Sequence, residues 1–238
     1  IVLNDWNNAY SDKNTPLAER FSDEFYRGFH LAKEQERGFT INLTILNEDK
    51  LFIPWIRTGE NPDLIRVQLR EKLGPQEKIK LFITYISKIP SAKFTKFGYY
   101  DSSNFNLKDW FLSPARYENH SFVTYSNSNL DDIANGICSY IINFKIPKQL
   151  ALTTDLNEVK KTATKLFSNY KLQGKNRTDF SIFIEPTSSF KSYPISKNEI
   201  LTNIENTKVE EIQKNTLIHR VVAFTTEFIG TYPYEKMV

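Results

Sequence analysis

Polar, acidic and aromatic side chains follow several of the predicted strands, at the places where a ligand site would form. In a parallel sheet the carboxyl ends of the strands meet at one edge, so side chains just beyond them converge. Tyrosine and tryptophan offer an aromatic wall, hydroxyl groups form hydrogen bonds, and a carboxylate pairs with an ammonium group. The residues in these positions are Trp6, Tyr10, Ser11, Ser87, Thr154, Asp155, Glu185 and Glu227. This set predicts a binding site for a small polar molecule such as an amino acid.

Asp155 lies in the segment of the sequence that is easiest to interpret. The segment LALTTDLNEVKKTATKLFSNYKLQG, residues 150–174, predicts a short buried strand, a helix over 157–172 and a C-cap at Gly174. At the junction of strand and helix, an aspartate either caps the helix by accepting a backbone N–H or contacts a ligand beyond the strand. Both interpretations remain open at this point.

A second group of candidate residues lies in the segment YYDSSN, residues 99–104. Its aromatic and hydroxyl side chains follow no clear helical or strand period. We expect Tyr99, Tyr100 and Ser102 either to border the ligand cleft or to contact a partner domain.

Motifs for catalysis and metal binding are missing from the sequence. The histidines His30, His120 and His219 are scattered without an HExxH pattern, and GxSxG, Walker A and GxGxxG do not occur. The single cysteine, Cys138, rules out a disulfide within the chain and is expected to be a buried apolar residue. We therefore expect a protein that is not an enzyme and has no catalytic residue, metal or cofactor.

The composition is that of a folded globular chain. The 238 residues are 40% hydrophobic and 14% aromatic, which excludes an intrinsically disordered protein. The net charge of +3 comes from interspersed acids and bases, so nucleic acid is not expected as a partner. No run approaches the roughly 18 apolar residues of a membrane span, which argues against direct membrane insertion. We interpret the start at Ile1, without a methionine, as the mark of a mature or trimmed product.

Strands and helices are predicted to alternate along most of the chain. Apolar and β-branched runs predict strands at 39–46, 79–86, 150–152, 180–184 and 218–225. Apolar residues at helical spacing, with capping residues, predict helices at 15–38, 61–73, 130–144, 157–172 and 196–206. Such alternation predicts an α/β fold with mainly parallel sheets.

Two stretches carry a resemblance to a known family. TPLAERFSDEFYRGFHLAKEQERGFTINLTILNED, residues 15–49, resembles the first helix and second strand of type I periplasmic binding proteins, the class of the branched-chain amino-acid receptors. Residues 118–174 resemble the crossing into the second lobe of that family. The resemblance implies two Rossmann-like lobes, at 1–126 and 127–227, with a segment at 228–238 that crosses back toward the first lobe.

The resemblance also implies a function. Proteins of this family close two lobes around a solute and pass that closure on to a transporter or signalling partner. The chain is therefore expected to be a non-catalytic, extracytoplasmic solute-binding or sensor domain. It departs from the family pattern at QERG before the second strand and at Ser87, which is followed by Lys88 rather than by a second hydroxyl residue. Since the chain ends soon after the crossing, we expect either a reduced first lobe or a truncated chain.

Three alternatives remain open. The segment GYYDSSNFNLKDWFLSP, residues 98–114, followed by SFVTYS, resembles double-CACHE extracellular sensor domains, in which residues 135–144 would form a strand. An enzyme on a Rossmann-like sheet would instead bring titratable groups together in one pocket. A degenerate binding fold kept as an interaction module would have a filled cleft and an exposed apolar patch.

Overall fold

The structure is a computed structural model that describes residues 1–3, 32–58, 64–95, 97–108, 110–123, 135–204 and 208–238. The chain divides into two compact units. Unit 1 comprises Ile1–Tyr100 with Asn106–Ile137, and unit 2 comprises Asp101–Phe105 with Cys138–Val238. The predicted lobe boundaries after residues 126 and 227 stay a prediction.

Unit 1 is built from short strands. They are β1 (Phe39–Leu46), β2 (Trp55–Arg57), β3 (Ile65–Val67), β4 (Phe82–Lys88), β5 (Gly98–Tyr99), β6 (Phe105–Lys108, which begins at the unit boundary), β7 (Tyr117–Glu118) and β8 (Ser121–Phe122). A 3₁₀ turn at Glu34–Glu36 and a short helix, α1 (Ala92–Thr95), are also present. β1 pairs antiparallel with β4, β2 with β3, and β7 with β8.

Strand β1 forms where the sequence FTINLTIL is rich in the β-branched residues that favour a pleated surface. It pairs with β4 along its length, apart from an irregularity around Asn42, whose φ is 54°. Asparagine tolerates a positive φ better than most residues do. The strand predicted at 39–46 is therefore confirmed.

The core of unit 1 lies around β1. Leu3 and Ile45 are fully buried, and Ile53 and Ile65 are nearly so. Partly buried apolar side chains pack against these four: Ile1, Leu43, Trp55, Val67, Leu81, Ile83 and Leu112. Full burial of one such side chain contributes about 1.5–3 kcal/mol to folding stability. Because the cluster includes residues of β1, β2, β3 and β4, its burial stabilises the packing of these small sheets in unit 1.

Unit 2 contains longer strands and, in its described part, one long helix. The elements are β9 (Cys138–Pro147), β10 (Ala151–Thr154), β11 (Asn157–Ala163), β12 (Phe167–Arg177), β13 (Ser181–Glu185), β14 (Lys191–Ile195), β15 (Asn198–Thr202), α2 (Glu211–Phe228) and β16 (Lys236–Met237). β11, β12 and β9 form one antiparallel sheet in that order. β10 pairs antiparallel with β13, and β14 with β15, whereas β15 and β16 are parallel.

The central strand β12 is buried at every second residue. Ser168, Tyr170, Leu172 and Gly174 are buried with a period of two that places them on one face, and Arg177 is buried beyond an irregularity that follows Gly174. The opposite face of this sheet is largely exposed to solvent. Unit 2 is therefore a half-buried antiparallel sheet joined to smaller hairpins and a helix.

The predicted α/β fold with mainly parallel sheets is wrong, because most of the described strands pair antiparallel. Antiparallel strands can be joined by short turns and need no crossover helix. The interpretation as a type I periplasmic binding protein, with two Rossmann-like lobes, is wrong for the same reason.

Several predicted elements change type in the structure. The helices predicted at 61–73, 130–144, 157–172 and 196–206 overlap β3, β9, the β11–β12 hairpin and β15, and the strand predicted at 218–225 lies inside α2. The strands predicted at 79–86, 150–152 and 180–184 are found, with shifted ends, as β4, β10 and β13. The helix predicted at 15–38 lies mostly outside the described residues. Within the described ranges, no helix is both long and apolar enough to cross a membrane.

Candidate functional site

The residues predicted to form one binding site are spread over the structure. Trp6, Tyr10 and Ser11 lie outside the described residues. In unit 1, Ser87 lies in β4, Tyr99 lies in β5, and Tyr100 follows β5. The remaining candidates belong to unit 2: Ser102, Thr154, Asp155, Glu185 and Glu227.

Within unit 2, the antiparallel pairing separates residues that a parallel sheet would bring together. Thr154 ends β10 and pairs with Ile182, whereas Glu185 ends β13 and pairs with Ala151. Glu185 therefore lies at the opposite end of this strand pair from Asp155. The Glu185 carboxylate instead accepts hydrogen bonds from the backbone N–H and the hydroxyl of Ser189, at 3.0 and 2.7 Å.

Asp155 lies in the turn between β10 and β11, where its carboxylate is already occupied. Its Oδ2 is 2.8 Å from Nη1 of Arg177, and its Oδ1 accepts the backbone N–H of Ser181 at 3.0 Å. Nη2 of Arg177 also donates to the carbonyl of Asp155 at 2.6 Å. Beside it, the Thr154 hydroxyl donates to the carbonyl of Ser181 at 2.7 Å and accepts the N–H of Leu156 at 3.2 Å. No helix follows Asp155, so it is not an N-cap; it is the half-buried partner of Arg177.

Arg177 also connects the end of the chain to β12. Its guanidinium lies 4.0 Å from the centre of the Tyr234 ring, a cation–π contact. The Tyr234 hydroxyl donates to the carbonyl of Asn176 at 2.6 Å, and Tyr234 stacks edge-on against Tyr232. Burial raises the pKa of Tyr232. These contacts fix segment 232–236 against the sheet.

A cleft of about 380 Å³ lies beside this cluster. Its lining residues are Asn157, Gln173, Gly174, Lys175, Arg177, Pro233, Tyr234 and Glu235. The charge of Arg177 is satisfied by Asp155, and Tyr234 is held by Asn176. Arg177 and Tyr234 therefore already have partners within the protein, whereas the buried Oδ1 of Asn157 has no hydrogen-bond partner among the described residues.

The segment 99–104 forms a turn that is built around Asp101. Its Oδ1 accepts the backbone N–H groups of Ser103 and Asn104 at 2.8 and 2.9 Å, and its Oδ2 accepts the Asn104 side-chain amide at 2.7 Å. These hydrogen bonds, the Ser103 N–H first among them, hold the pKa of Asp101 below its ordinary value. Tyr100 next to this turn is exposed.

Helix α2 presents an uncovered apolar surface that the sequence-based site did not include. Leu217, Val221, Phe224 and Phe228 recur at i, i+4, i+7 and i+11 and share one side of the helix. Their exposed fractions are 60, 52, 62 and 69%. The rings of Phe224 and Phe228 are in contact, with centroids 4.5 Å apart. We refer to these four residues as the apolar stripe.

A second side of α2 makes the contact with the rest of unit 2. Lys214, Ile218 and Val222 are half-buried, and they follow one another at four-residue spacing. At the beginning of the helix, the carboxylate of Glu211 accepts hydrogen bonds from the Tyr193 hydroxyl and, at 3.1 Å, from the Lys191 ammonium. The Tyr193 hydrogen bond and the Lys191 charge hold the pKa of Glu211 below its ordinary value. The helix is thus attached along one side, and the apolar stripe lies beside that attached side.

The signal for the apolar stripe was present in the sequence. The eight residues 218–225 predict a strand when they are taken alone, because Val221 and Val222 favour β structure. Over the longer window 211–228, Leu217, Val221, Phe224 and Phe228 recur at helical spacing.

Groups suited to catalysis or metal binding do not cluster in the described part of the chain. Of the three histidines, His30 lies outside the described residues, His120 is exposed in a turn and His219 is exposed on α2. Cys138 is half-buried at the beginning of β9 rather than fully buried as expected. Among the described residues, no three His, Cys, Asp or Glu side chains are placed to hold a metal ion.

Comparison with known proteins adds no family. No protein-family model matches the chain, and no curated protein matches it. Neither the periplasmic binding protein resemblance nor the double-CACHE resemblance gains support from these comparisons. The extracytoplasmic location and the transporter or signalling partner, which followed from resemblance alone, stay predictions.

Proposed function

We propose that the chain is a non-catalytic protein-interaction domain and that it self-associates through helix α2. The observation that carries the proposal is the exposure of the apolar stripe on a helix whose neighbouring side already contacts unit 2. Contiguous exposed apolar surface of this kind is typical of an interaction site. An exposed apolar patch is also the feature expected of an interaction module.

The energetics favour covering the stripe. Full burial of one Leu, Val or Phe side chain contributes about 1.5–3 kcal/mol, and each of the four is more than half exposed in the single chain. An 18-residue helix is about 27 Å long, at 1.5 Å per residue. A pair of such helices buries less area than a standard protein interface, so we expect a weak and reversible dimer.

Charges beside the stripe favour a second copy of the chain as the partner. Arg220 and Glu227 lie on the same flank of the stripe, two helical turns apart, and neither has an ion-pair partner among the described residues. In an antiparallel pair of identical helices, residues of one flank face the same flank of the other helix. Arg220 of one copy then faces Glu227 of the other, and the two-fold symmetry repeats the contact.

The small-molecule hypothesis has less support from the described geometry. The two Rossmann-like lobes that this hypothesis assumed are not found in the described residues, whose strands pair mostly antiparallel. The cleft beside Arg177 has its most buried charge paired with Asp155. The interaction hypothesis instead depends on a surface whose apolar side chains are exposed.

Sedimentation velocity over a concentration series tests the proposal. The wild-type chain should shift from monomer to dimer with rising concentration, and the double substitution Leu217→Ser with Phe224→Ser should keep it monomeric. Ile212→Ser is the matched control, because Ile212 is 77% exposed but lies on the far side of the helix. A wild-type chain that stays monomeric throughout, or a control that dissociates the dimer equally, would contradict self-association through the stripe.

A further inference from the structure

The exposed face of the β11–β12–β9 sheet carries an unneutralised group of lysines. The pairing register places Lys160 of β11 directly opposite Lys171 of β12. It places Lys145 of β9 opposite Asn169, which lies two residues before Lys171 in β12. Directly paired residues, and alternate residues along a strand, point to the same side of a sheet. Six polar residues therefore share this face: Asn143, Lys145, Lys160, Thr162, Asn169 and Lys171. We call these six residues the lysine face.

The three ammonium groups have no carboxylate partner in the described part of the chain. Like charges directly opposite each other on neighbouring strands are destabilising, and Lys160 with Lys171 is such a pair. Lys145 lies on a diagonal from Lys171, at a backbone separation of about 7–8 Å that long side chains span easily. An anion placed among the three would remove their repulsion and gain three attractive contacts.

The lysine face also has a concave shape and additional polar groups. All six of its residues line a pocket of about 300 Å³, at the lower end of the roughly 300–1,000 Å³ range of small-molecule sites. The amides of Asn143 and Asn169 and the hydroxyl of Thr162 add neutral hydrogen-bond donors. The Lys145 ammonium lies 4.1 Å from the centre of the Phe167 ring, a contact that restricts where this side chain extends.

We propose that the lysine face binds the phosphate group of a small phosphorylated molecule. Lysine ammonium groups act as point charges that suit the tetrahedral, multiply charged phosphate, whereas a planar carboxylate is matched better by the fork of an arginine. No arginine lines this pocket. The site depends on side chains of β9, β11 and β12 and is independent of self-association through α2.

Inorganic pyrophosphate is a suitable probe for the full chain, with sodium chloride at matched ionic strength as the reference. The melting temperature should rise with the logarithm of pyrophosphate concentration, as mass action requires for a ligand of the folded state. The double substitution Lys160→Gln with Lys171→Gln should weaken pyrophosphate binding, measured by calorimetric titration, by about tenfold or more. Its fold is verified by its melting curve in chloride, where removal of the like-charge pair should not lower the melting temperature.

The matched control removes two lysines from the turns of the same sheet. Lys148 and Lys165 are exposed and lie outside the pocket, so Lys148→Gln with Lys165→Gln changes the net charge equally. The control variant should bind pyrophosphate as the wild type does. Absence of a melting shift in the wild type, or equal loss of binding in both double variants, would overturn the proposal.

Discussion

The guanidinium of Arg177 is almost fully removed from solvent, and Asp155 supplies its carboxylate partner. A buried ion pair of this kind adds little net stability over an apolar pair, but removal of one partner leaves an uncompensated charge. Arg177 in addition holds Tyr234 and therefore the end of the chain. The importance of Asp155 is thus structural in the described geometry, and the role predicted for it as a ligand contact has no supporting contact.

Arg177→Ala should destabilise the protein by about 2–4 kcal/mol, because the Asp155 carboxylate would stay half-buried without its partner and the contact with Tyr234 would be lost. Urea denaturation measures the change in the free energy of unfolding. Lys175→Ala is the matched control, since Lys175 is an exposed cation in the same strand, and its effect should stay within about 0.5 kcal/mol. An Arg177→Ala variant as stable as the control would show that the pair is not structural.

Gly174 is required by packing. A Cβ atom at this position would lie 2.5 Å from Cδ2 of the fully buried Leu156 and 2.8 Å from Cδ of Arg177. Gly174→Ala should therefore cost about 1–3 kcal/mol, the usual effect of overpacking a filled site. Gly136→Ala is the control, because no atom lies within 4 Å of its added Cβ. Thermal melting of the two variants would distinguish them, and equal melting temperatures would contradict this account of Gly174.

At the scale of secondary-structure elements, the attachment of α2 to β14 should depend on pH. The Tyr193 hydroxyl and the Lys191 ammonium lower the pKa of Glu211 in the folded protein below the value of 4.5 for an unperturbed glutamate. Because the folded-state pKa is the lower one, this contribution to stability is present above about pH 4.5 and is lost as the pH falls through the folded-state pKa.

The melting temperature of Glu211→Gln should therefore be lower than that of the wild type near neutral pH. The difference should shrink as the pH falls below about 4.5 and should disappear below the folded-state pKa of Glu211, where the wild-type carboxyl is itself protonated. Glu158→Gln, at an exposed carboxylate without an ion pair among the described residues, controls for the loss of one charge. If the difference in melting temperature between wild type and Glu211→Gln persisted unchanged in acid, the effect would come from altered packing or hydrogen bonding and not from the charge of Glu211.

Some elements were predictable from the sequence and others were not, for reasons visible in particular residues. Strand β1 was predictable because its β-branched residues and its period agree with one another. In β12 the apolar residues fit a helical spacing, whereas the positions that are buried include the polar Ser168 and the small Gly174. Hydropathy does not reveal that those two positions are buried, so the β11–β12 hairpin was not predicted. A parallel fold was inferred instead from predicted helices that are strands in the structure.

The candidate sites depend on pairings that a single sequence does not specify. Asp155 meets Arg177, 22 residues later, only because the hairpin of β11 and β12 has a particular register. The lysine face depends on the same register, since a slip of one residue would move every side chain of a strand to the other side of the sheet. The apolar stripe, by contrast, is local to one helix and could have been found from spacing alone.

At the scale of the whole molecule, we propose that two copies of the chain pair through antiparallel α2 helices. Arg220 and Glu227 make this pairing specific, because each copy provides both the acid and the base of the contact. Exposed ion pairs are individually weak and are screened by salt, but two symmetric contacts would act together in the proposed dimer. Reversal of one charge would create two repulsive contacts, and reversal of both would restore two attractive ones.

The most direct measurement is therefore a charge-reversal cycle on the dimer dissociation constant at low salt, made by sedimentation equilibrium. Arg220→Glu and Glu227→Arg should each weaken the dimer by about 5- to 30-fold, or about 1–2 kcal/mol. The double variant should return close to the wild-type dissociation constant, which gives a favourable coupling energy between the two positions. A double variant that is as weak as the sum of the two single effects, or a wild-type chain with no measurable dimer, would contradict the account.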